Sequence, residues 1–319
     1  MNRRREPRIV IVGSINMDLV TQVPHLPQPG ETLTGSSFAT CPGGKGANQA
    51  VAVARLGGRS ILIGRVGDDA FGSQLLRGLR HEGVDTRNVH VVPKTSSGVA
   101  IIGVEKSGQN AITVVSGANA CLCPKDIRAA ESVIASADAV LLQLEIPLDT
   151  AREAILMAQK HEVFTVLDPA PVPPRGLPRN WRSLNIDIIT PNETEAAALG
   201  RKPCTHDKAA VACLESLLMD SVAAIAVLKR GRRGALLHAF LKPAFFPPFP
   251  VKAIDTTAAG DAFSAALTLH FSEGHGTLGE AIHFANAAGA LATTRRGAQT
   301  AMPTRREVNE LIRQHPYQP

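Results

Sequence analysis

Residues 139–167 read AVLLQLEIPLDTAREAILMAQKHEVFTVL. They open on the uninterrupted apolar run Ala139–Leu144, continue with Ala154, Ile155 and Ala158 at helical spacing, and close on a second apolar run, Val163–Leu167. Strand, helix and strand in that order make a βαβ unit, and runs with little polar interruption are what strands covered on both faces require. The same rhythm extends outward. Ile9–Val12, Ile61–Ile63, Ile186–Ile189 and Ala223–Leu228 are further apolar runs, and Phe71, Leu75, Leu76 and Leu79 repeat the helical spacing. Strands alternating with helices predict an α/β fold, a central, mostly parallel sheet covered by helices on both faces.

Two stretches break the rhythm. Asp18–Ser37 alternates apolar and polar residues and is rich in Pro, Gly and Thr, and Gly98–Val104 and Ala111–Val115 flank a hairpin turn signal at Lys106–Asn110. These predict a small inserted antiparallel β lid, formed by approximately 18–42 and 97–116, that closes over substrate at the ligand-binding edge. Pro169–Pro178 and Pro243–Pro250 read as loops, and Thr304 with Glu307 fits a capping box opening a last helix to about Gln314. The 319 residues have room for two domains, but an inserted lid makes one α/β body over 9–319, after a basic extension, 1–8, expected to be disordered and dispensable.

Half of the formal charge of +6 lies in that extension, where Arg3, Arg4, Arg5 and Arg8 face only Glu6. The body is nearly balanced. Its ten Phe, one Trp and one Tyr lie mostly away from the Arg clusters, unlike the interleaved basic and aromatic residues of a nucleic-acid surface. Cys41, Cys121, Cys123, Cys204 and Cys213 have neither C-x-x-C spacing nor His partners at zinc spacing, and an odd number argues against a disulfide framework. The first apolar run is too short for a signal peptide, and none approaches the roughly 18–20 residues that span a bilayer. A cytoplasmic enzyme or binding protein is expected.

The chemistry concentrates in a few turns. In Ala253–Leu267, AIDTTAAGDAFSAAL, small residues run into a carboxylate and then an apolar helix. A helix start offers free N–H groups and the positive end of a dipole, and Ala258, Ala259 and Gly260 carry no side chain to keep a phosphate away. Asp261 there can accept a hydroxyl proton beside the phosphate under attack. An isolated Gly-Asp would read as a tight turn and an ordinary N-cap; the whole segment favours chemistry.

Pro42–Ala50, PGGKGANQA, is a glycine-rich loop entering a helix. It is no Walker A loop, since Gly46 stands where Ser or Thr would hold Mg²⁺. Its glycines expose backbone donors, Lys45 and Asn48 add polar tips suited to hydroxyls, and a plain surface turn is the alternative. Gly13–Asp18, GSINMD, follows the first strand, where open α/β sheets bind ligands. Asn16 and Asp18 would face the same way and grip a vicinal diol, unless the segment is only an Asx turn. Asn192 and Glu195 form a helix N-cap pair or, beside a triphosphate, an outer-shell contact to hydrated Mg²⁺. Gly231–Gly234, GRRG, is a hairpin turn able to give backbone donors to phosphate, and Arg295–Ala298 reads as a C-cap.

GSINMD, PGGKGANQA, LEIP (144–147), TPNETEA (190–196), DTTAAGD (255–261) and RRGAQ (295–299) occur in the order found in the ribokinase/phosphofructokinase-B (PfkB) sugar kinases. The chain resembles that family over essentially its whole length. The resemblance implies a ribokinase-like fold and ATP-dependent transfer of the γ-phosphoryl group to the 5-hydroxyl of D-ribose, giving D-ribose 5-phosphate. By the resemblance, Asp261 is the catalytic base, and Ala258, Ala259, Gly260 and Asp261 form the anion hole. Sugar contacts fall on Asn16, Met17, Asp18, Gly44, Lys45, Gly46, Ala47, Asn48, Glu145 and Asp261. Nucleotide contacts fall on Asn192, Lys229, Arg230, Gly231, Arg232, Arg233, Gly234, Gly260, Asp261 and Asn286. The resemblance also implies Mg²⁺ ordered through water by Glu195. An activating K⁺ would sit against Asp255, Thr257, Ala292, Arg295, Gly297 and Ala301, largely through carbonyls, and the chain would form a homodimer through the lid.

Three positions depart from the family pattern: Lys229 stands where Thr is usual, Asp168 replaces the Asn of LNPAP, and Ala301 replaces a Ser. An Asp261 near the ordinary carboxylate value of about 3.9 would be ionised at neutral pH. A nucleoside kinase would need an aromatic platform, and only Phe38 lies near the sugar motifs; a sugar-phosphate kinase would need Arg there, and neither Gly13–Asp18 nor Gly43–Asn48 has one. A neutral pentose is favoured, with 2-deoxyribose one hydroxyl away. A non-catalytic sugar-binding protein would have lost Asp261 or Gly260, and both are present.

Overall fold

The computed structural model describes residues 6–182, 184–220, 222–239, 242–274 and 276–317. In chain order the strands are β1 (Arg8–Val12), β2 (Asn16–Val23), β3 (Ser37–Gly43), β4 (Arg59–Gly67), β5 (Asp85–Val92), β6 (Gly98–Glu105), β7 (Asn110–Val115), β8 (Ala139–Leu142), β9 (Phe164–Leu167), β10 (Ile186–Ile189), β11 (Ala223–Lys229), β12 (Ala235–His238) and β13 (Ala244–Phe246). The helices are α1 (Lys45–Arg55), α2 (Ala70–His81), α3 (Pro124–Ala129), α4 (Glu131–Ala135), α5 (Leu148–Lys160), α6 (Glu193–Gly200), α7 (Asp207–Met219), α8 (Ala259–Ser272), α9 (Leu278–Ala292) and α10 (Arg305–Gln314). Each of the six apolar runs has become a strand, and α10 opens on the expected Thr304–Glu307 capping box.

Among the described residues the main sheet runs β13-β12-β11-β10-β9-β8-β1-β4-β5, parallel from β5 to β11 and antiparallel at the last two strands. Its central strands are buried on both faces because successive side chains point oppositely. Ile9 and Ile11 of β1 enter a core with α1, α2, α8, α9 and α10, while Val10 and Val12 enter one with α3 to α7. From β1 the chain moves outward through β4 to β5, then returns to the other side of β1 at β8. Strand order reverses between β1 and β8, so the crevice beyond their carboxyl ends is where such a sheet binds ligand.

A second sheet, β3-β2-β6-β7, lies where the lid is expected, but it is mixed and not wholly antiparallel: β3–β2 and β6–β7 are antiparallel hairpin pairs, while β2 and β6, joined by a long crossover, run parallel. It spans 16–43 and 98–115, so Asn16, two residues before the expected start, already belongs to it. Two further expectations need revision. Arg8 is not part of the N-terminal extension: its N–H donates to Asp138 Oδ2 at 2.7 Å and it pairs with Arg59 across β1 and β4, whereas 1–5 lie outside the described residues. The segment 243–250 is not all loop, since Ala244–Phe246 pairs with β12. An edge strand tolerates flanking prolines because its outer N–H groups owe no ladder bond.

Candidate active site

At the switch point, the turn after β1 and the head of α1 pack backbone on backbone. A Cβ on Gly46 would lie 2.6 Å from the Gly13 carbonyl carbon. Gly44, with φ +86°, would bring one within 2.6 Å of the Asn16 nitrogen. The Ala47 N–H then donates to the Ser14 carbonyl at 2.9 Å. These glycines serve close approach, where the sequence offered them as exposed donors. The side chains of Ala47 and Met17 are fully buried in the core, which leaves only their backbone for the contacts expected of them.

Asn16 and Asp18 share one face of β2, and the side chain beneath them was missed by sequence reasoning. Asn119 accepts the Ile15 N–H at 2.9 Å and donates from Nδ2 to the Ile15 carbonyl at 3.2 Å and to Asn16 Oδ1 at 2.7 Å. That fixes the Asn16 amide with its own NH₂ left to give. Glu145, just beyond β8, is held similarly. Its Oε2 accepts from Ser14 Oγ at 2.5 Å and from the Lys45 N–H at 3.1 Å.

The second half of the site forms where α8 begins. Ala258 adopts a left-handed φ of 58° at the N-cap, and Ala259 turns its N–H to the Thr256 carbonyl at 3.3 Å. Of the four residues expected to form an anion hole, Ala259 alone has its N–H engaged in this turn, and those of Gly260 and Asp261 have no carbonyl one turn earlier. Asp261 is 4% exposed and accepts from Asn48 Nδ2 at 2.9 Å and Gln49 Nε2 at 3.3 Å. Asn48 Oδ1 is buried without a protein partner, an acceptor for an incoming hydroxyl.

A cavity of about 860 Å³ opens from this point. It joins Lys45, Gly260 and Asp261 to Asn192, Glu195, Lys229, Gly231, Arg232, Gly234 and Asn286, with Phe249 and Val251 as apolar wall. These twelve and the remaining lining positions come from six separate stretches of chain, 45, 168–170, 192–195, 229–234, 248–263 and 286–293. Of the expected nucleotide contacts, Arg233 is absent from the lining and pairs with Glu193, while Arg230 lines the cavity and its guanidinium pairs with Asp207 and Glu193. The pair Asn192–Glu195 is a complete capping box, with both Glu195 oxygens accepting from Asn192.

Burial sets the electrostatics. It pushes the Asp261 carboxyl up to about 6, against the opposing pull of Lys45 and with help from Asp168. The ordinary value expected from sequence does not hold, because the sequence does not show how deeply α8 is covered. Asp18 also rises to about 6, through burial first and then Glu145 and Asp261. Burial works against the Lys45 ammonium, but Asp261, Glu145, Asp168 and Glu195 outweigh it and raise its pKa. Burial likewise raises Glu195, with Lys229 opposing.

The expected cation loops also meet. Asp255 accepts from the Gly297 N–H at 3.0 Å, the Thr257 N–H at 2.9 Å and Thr257 Oγ1 at 2.6 Å. Ala292 ends α9 and Ala301 is fully buried in a short 3₁₀ turn, while Arg295 pairs with Glu307. Among the described residues no cluster of three or more His, Cys, Asp or Glu is placed to hold a metal.

Residues 6–305 match the model of the pfkB family carbohydrate kinases. A ribokinase of Haemophilus influenzae is 40% identical over 304 residues, 95% of this chain and 98% of that protein. A deoxyribokinase of Salmonella typhi is 36% identical, covering 95% of this chain and 98% of its own. The structure of Arabidopsis thaliana ribokinase complexed with ribose and ATP superposes with a TM-score of 0.86 at 31% identity, over 97% of this chain and 99% of that one.

Proposed function

The chain belongs to the pfkB family of carbohydrate kinases, and from that premise we propose that it uses ATP to phosphorylate the 5-hydroxyl of D-ribose. One observation carries the reading: Asp261 lies buried between the sugar-side amide of Asn48 and the Gly260 N–H at the mouth of the cavity. A carboxylate in that position can reach a hydroxyl on one side while the helix start receives the phosphate on the other.

In this mechanism Asn16, Asp18, Asn48 and Glu145 hold the sugar hydroxyls, and the buried Asn48 Oδ1 gains the donor it lacks. Asp261, with a pKa of about 6, is ionised at neutral pH yet close enough to that pH to take the proton as the new P–O bond forms. Gly260 and Asp261 N–H groups and Lys45 stabilise charge on the transferring phosphoryl group, a reaction that depends mainly on position and electrostatics. Phe249 and Val251 offer the apolar wall a nucleobase needs, with Asn192, Gly231, Arg232, Gly234 and Asn286 as polar contacts. The lid closes over the sugar and excludes water.

Mg²⁺, when bound with the nucleotide, would neutralise charge between its phosphates. Glu195 has both oxygens engaged by Asn192, which suits contact through water rather than direct ligation. K⁺ would be held by carbonyls of the loops that Asp255 ties together, and Ala301 keeps a carbonyl although it lacks a hydroxyl. The lid leaves Phe38, Ile101, Ile112, Val114 and Val115 about half exposed or more, apolar area that a second copy would cover in a homodimer. Among the described residues no helix is long and apolar enough to cross a membrane, and we place the enzyme in the cytoplasm.

The test is ADP release measured over pentoses, hexoses and nucleosides, with and without K⁺. Ribose should give the highest kcat/KM. Preference for 2-deoxyribose would change the acceptor, and no turnover with any sugar would leave a sugar-binding protein.

A further inference from the structure

Asp168 and Lys229, two of the three departures from the family pattern, lie at the carboxyl ends of β9 and β11 with β10 between them. They meet. Lys229 Nζ donates to Asp168 Oδ1 at 2.7 Å, with side chains only 12% and 2% exposed. Asp168 is fully engaged, since its other oxygen accepts from Gln49 Nε2 and Ser264 Oγ, each at 3.1 Å. The ammonium is not. Of its three donors one goes to Asp168 and one makes a long contact of 3.5 Å to Ser264 Oγ. It lines the nucleotide cavity, and a Cβ on Gly260 would sit 3.4 Å from it. A positive charge with a spare donor therefore fronts the N–H groups at the head of α8.

A buried ion pair is a poor stability device, because desolvation consumes most of its attraction. Placed at a phosphate site it has another use, as a fixed charge that needs no reorganisation when phosphate arrives. Asp168 is also one amide away from the reacting carboxylate, since Gln49 Nε2 is shared between Asp168 Oδ2 and Asp261 Oδ1.

We propose that Lys229 is the side chain that meets the terminal phosphate of the nucleotide, and that Asp168 is its positioning residue. The proposal rests on the nucleotide half of the function given above and not on the identity of the sugar. The two departures then form one unit. Asp168 anchors the Lys229 ammonium, and Lys229 supplies the charge without which Asp168 would be a buried, uncompensated carboxylate one amide away from Asp261.

Calorimetric titration of AMP-PNP and of adenosine, with no sugar present, separates this from a structural role. Wild type, K229T, K229R, D168N and K229T/D168N are compared after thermal melting confirms folding. K229T should bind AMP-PNP about 10-fold or more weakly, the scale of a lost charge-assisted hydrogen bond, with adenosine unchanged and K229R restoring most of the loss. The double variant, which removes both charges and keeps the fold should K229T alone melt, should bind like K229T, so D168N has no effect once Lys229 is gone. A double variant restored to wild-type affinity, an equal effect of D168N in both backgrounds, or an equal loss for adenosine would overturn the proposal. Because no acceptor enters the titration, a failure of ribose as substrate leaves this test standing.

Discussion

Asn48 Nδ2 donates to Asp261 Oδ2 over 2.9 Å, a contact between residues 213 positions apart. It ties the glycine-rich loop that opens α1 to the head of α8, so the group that fits a sugar hydroxyl and the group that fits its proton are set by one bond. Asp261→Asn keeps the volume and loses the base. Turnover should fall by about 10²–10⁴-fold with ribose affinity nearly intact. Steady-state kinetics with ribose binding by calorimetry checks this, and an Asn variant holding roughly a tenth of wild-type turnover sinks the assignment of the base.

The pH profile follows from the same carboxylate. Burial raises the Asp261 pKa to about 6, so the group is protonated below that pH and ionised above it. Turnover should be full at neutral pH and fall as pH drops through about 6. The Asn48 hydrogen bond holds the pKa down, so Asn48→Ala should move the acid limb to higher pH. A limb left in place, or moved down, would remove Asn48 from the control of the base.

Much of this arrangement is legible in the chain itself, and the gaps have physical causes. Strands such as β8 and β9 are readable because both faces are covered and their residues form unbroken apolar runs. β5, DTRNVHVV, lies at a sheet edge with only Thr86 and Val89 of its eight residues buried, so it carries no such run, and β13 hides among prolines. Motif residues stand out because small residues beside charges are unusual in a helix start. Asn119 and the role of Gln49 within PGGKGANQA do not, because their partners Asn16 and Asp168 lie 103 and 119 positions away. Gln49 had one local signal, a polar amide ahead of the apolar run Ala50–Val53 that only a buried partner would tolerate.

Asn119 should behave as a positioning residue for sugar. Asn119→Ala leaves the Ile15 N–H and Asn16 Oδ1 without their buried partner, at about 1–3 kcal/mol of stability. With Asn16 free to turn, KM for ribose should rise more than kcat falls. Urea denaturation and kinetics test the two together, and an unchanged KM would show that the Asn16 amide needs no anchor.

The last helix offers a stability test whose sign is fixed by the cap. Burial works against ionisation of Glu307, but the Arg295 guanidinium and the Thr304 N–H and hydroxyl outweigh it and hold the carboxyl at about 2. A carboxylate depressed in the folded state contributes stability that is present above its unfolded value of about 4.5 and lost as pH falls towards 2. Glu307→Gln should therefore lower Tm at pH 7, with the difference from wild type shrinking steadily between about pH 4.5 and 2. A deficit that persists undiminished at the acid end would mean that the loss came from packing of α10 and not from its charge.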